Sequence, residues 1–170
     1  MDNLFGGEEW EDTAQICLNG HPINSTAGSN PNLNRDFCER CGQKTILECP
    51  TCRTRIRGYR GTEAPGIAYT FEYEPPAYCH KCGSAFPWTE KSLNSAKALA
   101  AELEGLTEEE RRTLAESIED LVHDSPGTAL AATRFKKLLA KVKGPGGAAL
   151  WEIVKTVASE AAKRILLPGP

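Results

Sequence analysis

No stretch of this 170-residue chain approaches the roughly 18 uncharged apolar residues that a membrane-spanning helix requires, so a helical span is excluded. Neither charge sign dominates: 20 Lys and Arg stand against 23 Asp and Glu, and a net charge of -3 argues against tight non-specific binding to nucleic acid. Met1 to Asp12 has no basic residue and five acidic ones, the reverse of a secretory signal or transit peptide. A cytoplasmic location is therefore expected. The glycine-rich stretches lack a Walker lysine pattern, and there is no internal repeat beyond pairs of cysteines. Only three histidines are available, and no cysteine occurs after Cys82.

The composition changes near Trp88. Residues 1–88 hold all 7 cysteines, 10 of the 12 aromatics and 7 of the 11 prolines, whereas residues 89–170 hold 14 of the 20 alanines and 12 of the 16 leucines. This divides the chain into an acidic segment (1–12), a turn-rich part with short strands (13–88) and a helical part (89–170). The expected class is α+β, the second part being an antiparallel bundle of about four helices.

Helix boundaries follow from capping chemistry. Thr89 is the expected N-cap of a helix ending near Glu104 and Gly105, and Thr107 with Glu110 forms a capping box for the next. Ser125-Pro126 opens a third helix to about Lys143, and Ala148 to Leu166 reads as a fourth. The third presents Phe135, Leu138, Leu139 and Val142 on one stripe; the fourth presents Leu150, Val154, Val157, Ala161 and Ile165. Residues 89–124 carry 4 basic and 10 acidic side chains and residues 125–170 carry 8 and 2. The simpler reading of this -6 and +6 split is complementary packing or solvated faces. The sharper one is an anionic partner for Arg134, Lys136, Lys137, Lys141 and Lys143.

The cysteines form three pairs, Cys38-x-x-Cys41, Cys49-x-x-Cys52 and Cys79-x-x-Cys82, and Cys17 is matched by His21 four residues on. Eight soft donors make two tetrahedral zinc sites, and in a reducing cytosol such pairs indicate metal rather than disulfides. Gly42 and Gly83 follow their pairs and can take the positive φ that the turn favours. Sequential pairing groups Cys17, His21, Cys38 and Cys41 at one ion and Cys49, Cys52, Cys79 and Cys82 at the other. The alternative is a cross-brace, as in RING domains, with the first and third pairs on one ion. Four protein ligands leave no open position for water, so both Zn2+ ions are expected to be structural, with all cysteines engaged and no catalytic triad assembled from His80 and His123. An enzyme is not expected.

The segments CLNGH, FCERCG, CPTCRTRIRG and PPAYCHKCGSAFPWTE resemble the double zinc ribbon class and, more narrowly, a bacterial zinc-ribbon family of unknown function. The resemblance spans roughly Thr13 to Lys91 and implies a bacterial cytosolic protein with two ribbons followed by a variable helical region.

Outside the donors, Arg53, Arg55 and Arg57 alternate on an expected strand, with Arg60 beyond, as a candidate anion or nucleic-acid face. Tyr59, Tyr69, Phe71 and Tyr73 could stack on bases; the plainer reading pairs the arginines with Glu72 and Glu74 across a hairpin. Phe86, Pro87 and Trp88 read as a staple between ribbon and bundle. His80 reads as a solvent-facing knuckle residue, and His123 as a partner of a helix C-terminus. The leading functional expectation is a non-catalytic adaptor with a protein partner. The alternatives are a nucleic-acid-binding ribbon and a stress or anti-phage effector whose basic C-terminal helices touch membrane.

Overall fold

A computed structural model describes residues 9–62 and 73–167. The chain divides into two compact units, Met1–Trp88 and Thr89–Pro170. Small antiparallel sheets precede five helices among the described residues, and the class is α+β.

The first unit has two sheets. Strand β1 (Glu9–Thr13) pairs antiparallel with β5 (Arg57–Thr62), and β2 (Gln15–Cys17) lies between β3 (Pro22–Asn24) and β4 (Thr45–Ile46). Only Ala14 separates β1 from β2, so one run of chain feeds both sheets. Where β1 meets β5 the register slips, with Glu11 opposite Arg60 but Thr13 opposite Arg57. Gly58 and Tyr59 of β5 thus lie opposite the single residue Asp12 of β1, a bulge. Gly58 sits within it because a Cβ there would lie 2.4 Å from the Ser25 carbonyl oxygen and 2.7 Å from the Thr13 carbonyl carbon. The next turn is pinned by Asp12, whose carboxylate accepts from the N–H groups of Thr13 (2.6 Å), Gly28 (2.9 Å) and Ser29 (3.2 Å). Partial burial opposes that charge, but the Ser29 hydroxyl and these N–H groups outweigh it and hold the carboxyl below its ordinary range.

Among the described residues of this unit the apolar core is small: Ala14, Ile16, Cys49, Ile56, Cys79, Phe86 and Trp88. Two of the seven are cysteines. Phe86 and Trp88 stack at 4.6 Å, the Trp88 indole N–H donates to the Pro76 carbonyl (2.9 Å), and a Cβ on Gly20 would come within 2.9 Å of Trp88 Cβ. The two aromatics read from sequence as a staple are thus core residues of the first unit.

Helix α1 (Pro87–Ala101) begins two residues before the expected cap, because proline's fixed φ suits the first turn; Thr89 lies inside the helix and is buried. Helix α2 (Glu108–Val122) has the expected capping box: Thr107 Oγ1 accepts from the Glu110 N–H (3.2 Å) and Glu110 Oε2 accepts from the Thr107 N–H (3.0 Å). Its C-cap is His123. Helix α3 (Thr128–Leu139) stops short of Lys143, as the chain turns through Ala140 to Val142.

The expected fourth helix is two, α4 (Gly146–Val157) and α5 (Glu160–Leu166). Ala158 is extended (φ -61°, ψ 140°), the Ser159 N–H donates to the Leu121 carbonyl (2.8 Å), and the Ser159 side chain caps α5 at Ala162. A serine N-cap satisfies a donor that a continuous helix would bond internally. The break advances the apolar stripe by one residue, so Ala162 and Leu166 are buried in place of the expected Ala161 and Ile165, while Leu150, Val154 and Val157 keep their places.

Helix α2 packs on α3 and α4, and α3 on α5, around Leu114, Ile118, Leu121, Phe135, Leu150 and Val154. Phe135, fully buried, lies 6.1 Å from the Trp151 ring. We expect Phe135→Ala to lower stability by about 3–5 kcal/mol in urea unfolding, and Leu130→Ala, at a half-exposed site on α3, to change it by less than about 0.5 kcal/mol.

Candidate metal centres

All three C-x-x-C segments fold into the same knuckle. In each, the N–H of the first cysteine donates to the carbonyl five residues on: Cys38 to Gln43 (2.8 Å), Cys49 to Thr54 (2.8 Å) and Cys79 to Ser84 (2.9 Å). The N–H of the fifth residue returns to the first cysteine's carbonyl, from Gly42 (2.8 Å), Arg53 (3.0 Å) and Gly83 (2.9 Å). This double closure forces the fifth residue into the left-handed region, with φ of 70° at Gly42, 60° at Arg53 and 72° at Gly83. The Cys17 turn is built differently. Gly20 (φ 85°) reverses the chain, and the His21 N–H approaches Cys17 Sγ at 3.3 Å.

The knuckles bring together two groups of four donors, Cys17, His21, Cys38, Cys41 and Cys49, Cys52, Cys79, Cys82, with the donor atoms of each group all within 4.8 Å of one another. The grouping is sequential rather than cross-braced. Within the first group Cys17 Sγ is 3.8 Å from Cys41 Sγ, and Cys38 Sγ is 3.6 Å from His21 Nδ1. In the second, Cys49 and Cys82 are 3.8 Å apart and Cys52 and Cys79 3.6 Å. An ion bonded to two thiolates at ~2.3 Å in tetrahedral geometry separates them by about 3.8 Å. A disulfide requires about 2.05 Å. Both groups can therefore hold a metal ion, and all seven cysteines are free thiols.

The electrostatics divide the donors, lowering Cys41, Cys52 and Cys82 and raising Cys17 and Cys79. The first cysteine of each knuckle is buried, and the second is more exposed and carries the local donors. The Gln43 N–H holds Cys41 below the ordinary thiol range, and the Ser84 hydroxyl and N–H do the same for Cys82. For Cys52, the Thr54 hydroxyl, 3.4 Å from the sulfur, and the Thr54 N–H bring the value down to about 6. Burial pushes Cys17 up. Asn19 Nδ2 adds a contact to Cys41 Sγ at 3.6 Å. Sequence reasoning missed these second partners. The signal was the Thr or Ser two residues after Cys52 and Cys82.

The arginines do not form the expected face. Arg53 is not on a strand: it is the fifth residue of the middle knuckle, and β5 begins only at Arg57. Arg55 makes a single bridge to Glu48. The bulge turns Arg57 and Arg60 to one side, where both meet Glu11, at 3.1 and 2.7 Å. Their partner is therefore on β1. Tyr73 donates to the Arg57 carbonyl (2.6 Å); burial, with the nearby Glu11 charge, keeps this phenol protonated well above its usual range. Tyr59 lies 5.8 Å from Trp10. Tyr69, Phe71 and Glu72 lie outside the described residues. His80 is exposed. Of the basic helical residues, Lys136 caps the Ile165 carbonyl and Lys141 pairs with Glu110, both at 2.5 Å. No described helix is long and apolar enough to cross a membrane.

Two donor tetrads carried by turns beside short antiparallel strands, followed by a helical unit, define a small α+β protein with two candidate metal sites. Residues 10–166 match the family described as "Uncharacterized protein conserved in bacteria (DUF2321)", and the chain belongs to it. Neither the curated proteins nor the solved structures returned a match.

Arg53 occupies a conformation that its two counterparts fill with glycine. Arg53→Gly should raise the thermal stability of the metal-loaded protein by about 1 kcal/mol, with metal content unchanged. An unchanged or lower melting temperature would show that the arginine side chain contributes more than the strain removes.

Proposed function

We propose that both tetrads hold Zn2+ as structural ions, making residues 13–88 a tandem zinc ribbon, and that the chain is a non-catalytic, cytoplasmic adaptor binding a protein partner. The observation that carries this reading is the completeness of the two donor sets. Each supplies four protein ligands, so a tetrahedral ion has its coordination filled and serves to close the fold rather than to activate water. Thiolate and imidazole are the donors zinc prefers, and free thiols suit a reducing compartment. The ions' role follows from the size of the core around them: among the described residues the apolar cluster has seven buried members, two of them proposed ligands, a small core for a unit of this length. The nucleic-acid alternative loses support because Glu11 engages two of its four arginines.

Elemental analysis of the purified protein should return two zinc ions per chain, falling to one in Cys41→Ser and in Cys82→Ser. One ion or none in the parent protein refutes the assignment. Chelation should abolish the tertiary signals of Trp10, Phe86 and Trp88 while the helical circular dichroism largely survives, since the second unit has its own apolar core. Crosslinking of the zinc-loaded chain in reducing native lysate should give nuclease-resistant protein adducts on residues 13–88. Recovery of RNA or DNA alone would overturn the adaptor reading.

A further inference from the structure

Large apolar side chains gather on the surface around the first knuckle. Phe37, immediately before the ligand Cys38, is 62% exposed; Leu33 is 49% and Leu47 36% exposed. The corresponding residue of the last knuckle, Tyr78, is half-buried, and that of the middle knuckle is Glu48. Phe37 is a wall shared by two open clefts of about 450 Å³ each, one continuing past Leu33 and Ile23, the other past Leu47. Such volumes lie within the ~300–1,000 Å³ range of ligand clefts. The ring stands on a segment tied at both ends of the turn, since Phe37 bridges to Lys44 while Cys38 and Gln43 are hydrogen-bonded. A rigid exposed aromatic of this kind loses little entropy on contact.

The charges around it select the occupant. Arg35 is held by the carbonyls of Asn32 (3.2 Å) and Asn34 (2.8 Å) and meets Glu39 at 3.7 Å, which neutralises that carboxylate. Arg40 and Lys44 are exposed and have no ion-pair partner among the described residues; Asp36 is the remaining acid along the clefts. The rim is thus net positive in a chain of net charge -3. An excess of one positive charge is too small for a phosphate backbone, whose binding needs several cations. It suits one or two carboxylates flanking a bulky apolar side chain.

We propose that the Leu33, Phe37 and Leu47 surface is the adaptor's docking site for a carboxylate-bearing apolar peptide segment, with Phe37 as anchor and Arg40 and Lys44 as the charge contacts. This rests on the adaptor reading and gives its partner a chemistry. The test is selection of a phage-displayed random-peptide library on the full metal-loaded chain, followed by fluorescence anisotropy with a synthetic enriched peptide. Enriched sequences should combine Asp or Glu with Phe, Leu, Ile or Trp. Phe37→Ala should weaken binding about tenfold or more and Arg40→Glu several-fold, while Arg112→Glu, in the helical unit, leaves it unchanged. Both surface variants should retain two metal ions, since Phe37 and Arg40 are exposed.

Binding that survives Phe37→Ala and Arg40→Glu would overturn the site and leave the adaptor reading standing. Enriched peptides without acids, or Phe37-dependent binding of a poly-uridine oligonucleotide in place of peptide, would overturn the proposed chemistry. Phe37-dependent dimers in sedimentation velocity would assign the surface to a second copy of this chain instead. No enrichment, with protein adducts still found by crosslinking, would reject this surface alone; no enrichment and no adducts would reject both.

Discussion

Donor atoms that must converge on one point govern the first unit. Four donors from Cys17, His21, Cys38 and Cys41, and four from Cys49, Cys52, Cys79 and Cys82, bring together segments separated by 24 and 33 residues. Ordering such loops carries an entropy cost, and the apolar cluster among the described residues of this unit is small. The sheets are correspondingly short: β2, β3 and β4 have three, three and two residues. They follow the knuckles rather than organise them. Two ligands, Cys49 and Cys79, are themselves members of the core, so the donor sets and the apolar cluster of this unit share residues.

The second unit rests on a different balance. Its helices bury an aliphatic core with Phe135 at its centre and no metal donors, and its boundaries are set by side chains that satisfy exposed backbone groups. Lys141 and Glu110 tie the charge division along this half directly across, and the same carboxylate also closes the α2 capping box. Glu110 consequently lies below the ordinary carboxylate range, held there first by the Lys141 ammonium. Two further pairs of the basic half, Lys155 with Glu152 and Lys163 with Glu160, are local helix pairs that contribute little individually.

Legibility from sequence differed between the two kinds of feature. Ligand identity was readable because C-x-x-C spacing and a partnered histidine report a local turn and a donor chemistry together. The capping box at Thr107 was readable for the same reason, since its partners lie within one turn. The expected strand through Arg53, Arg55 and Arg57 did not form because the knuckle extends to Thr54, placing Arg53 at φ 60°. The single helix expected over 148–166 divided because Leu121, from another helix, supplies an acceptor for Ser159. The strand pattern is overruled by hydrogen bonds within the knuckle itself, and the helix pattern by one closed from a distant element.

The sequence by itself determined the composition boundary, the eight donor residues and the α+β class, since each depends on residue type and near-neighbour spacing. Tertiary structure alone decided which donors share a point, because pairing depends on how distant loops return. It also decided that Glu11 takes both Arg57 and Arg60, through a bulge that no spacing announces. And it decided that Phe37 remains at the surface while Phe86 and Trp88 are covered. Aromatic residues carry the same drive to bury wherever they occur. Only the packing of segments far apart in the chain determines which of them receive a cover and which stay exposed.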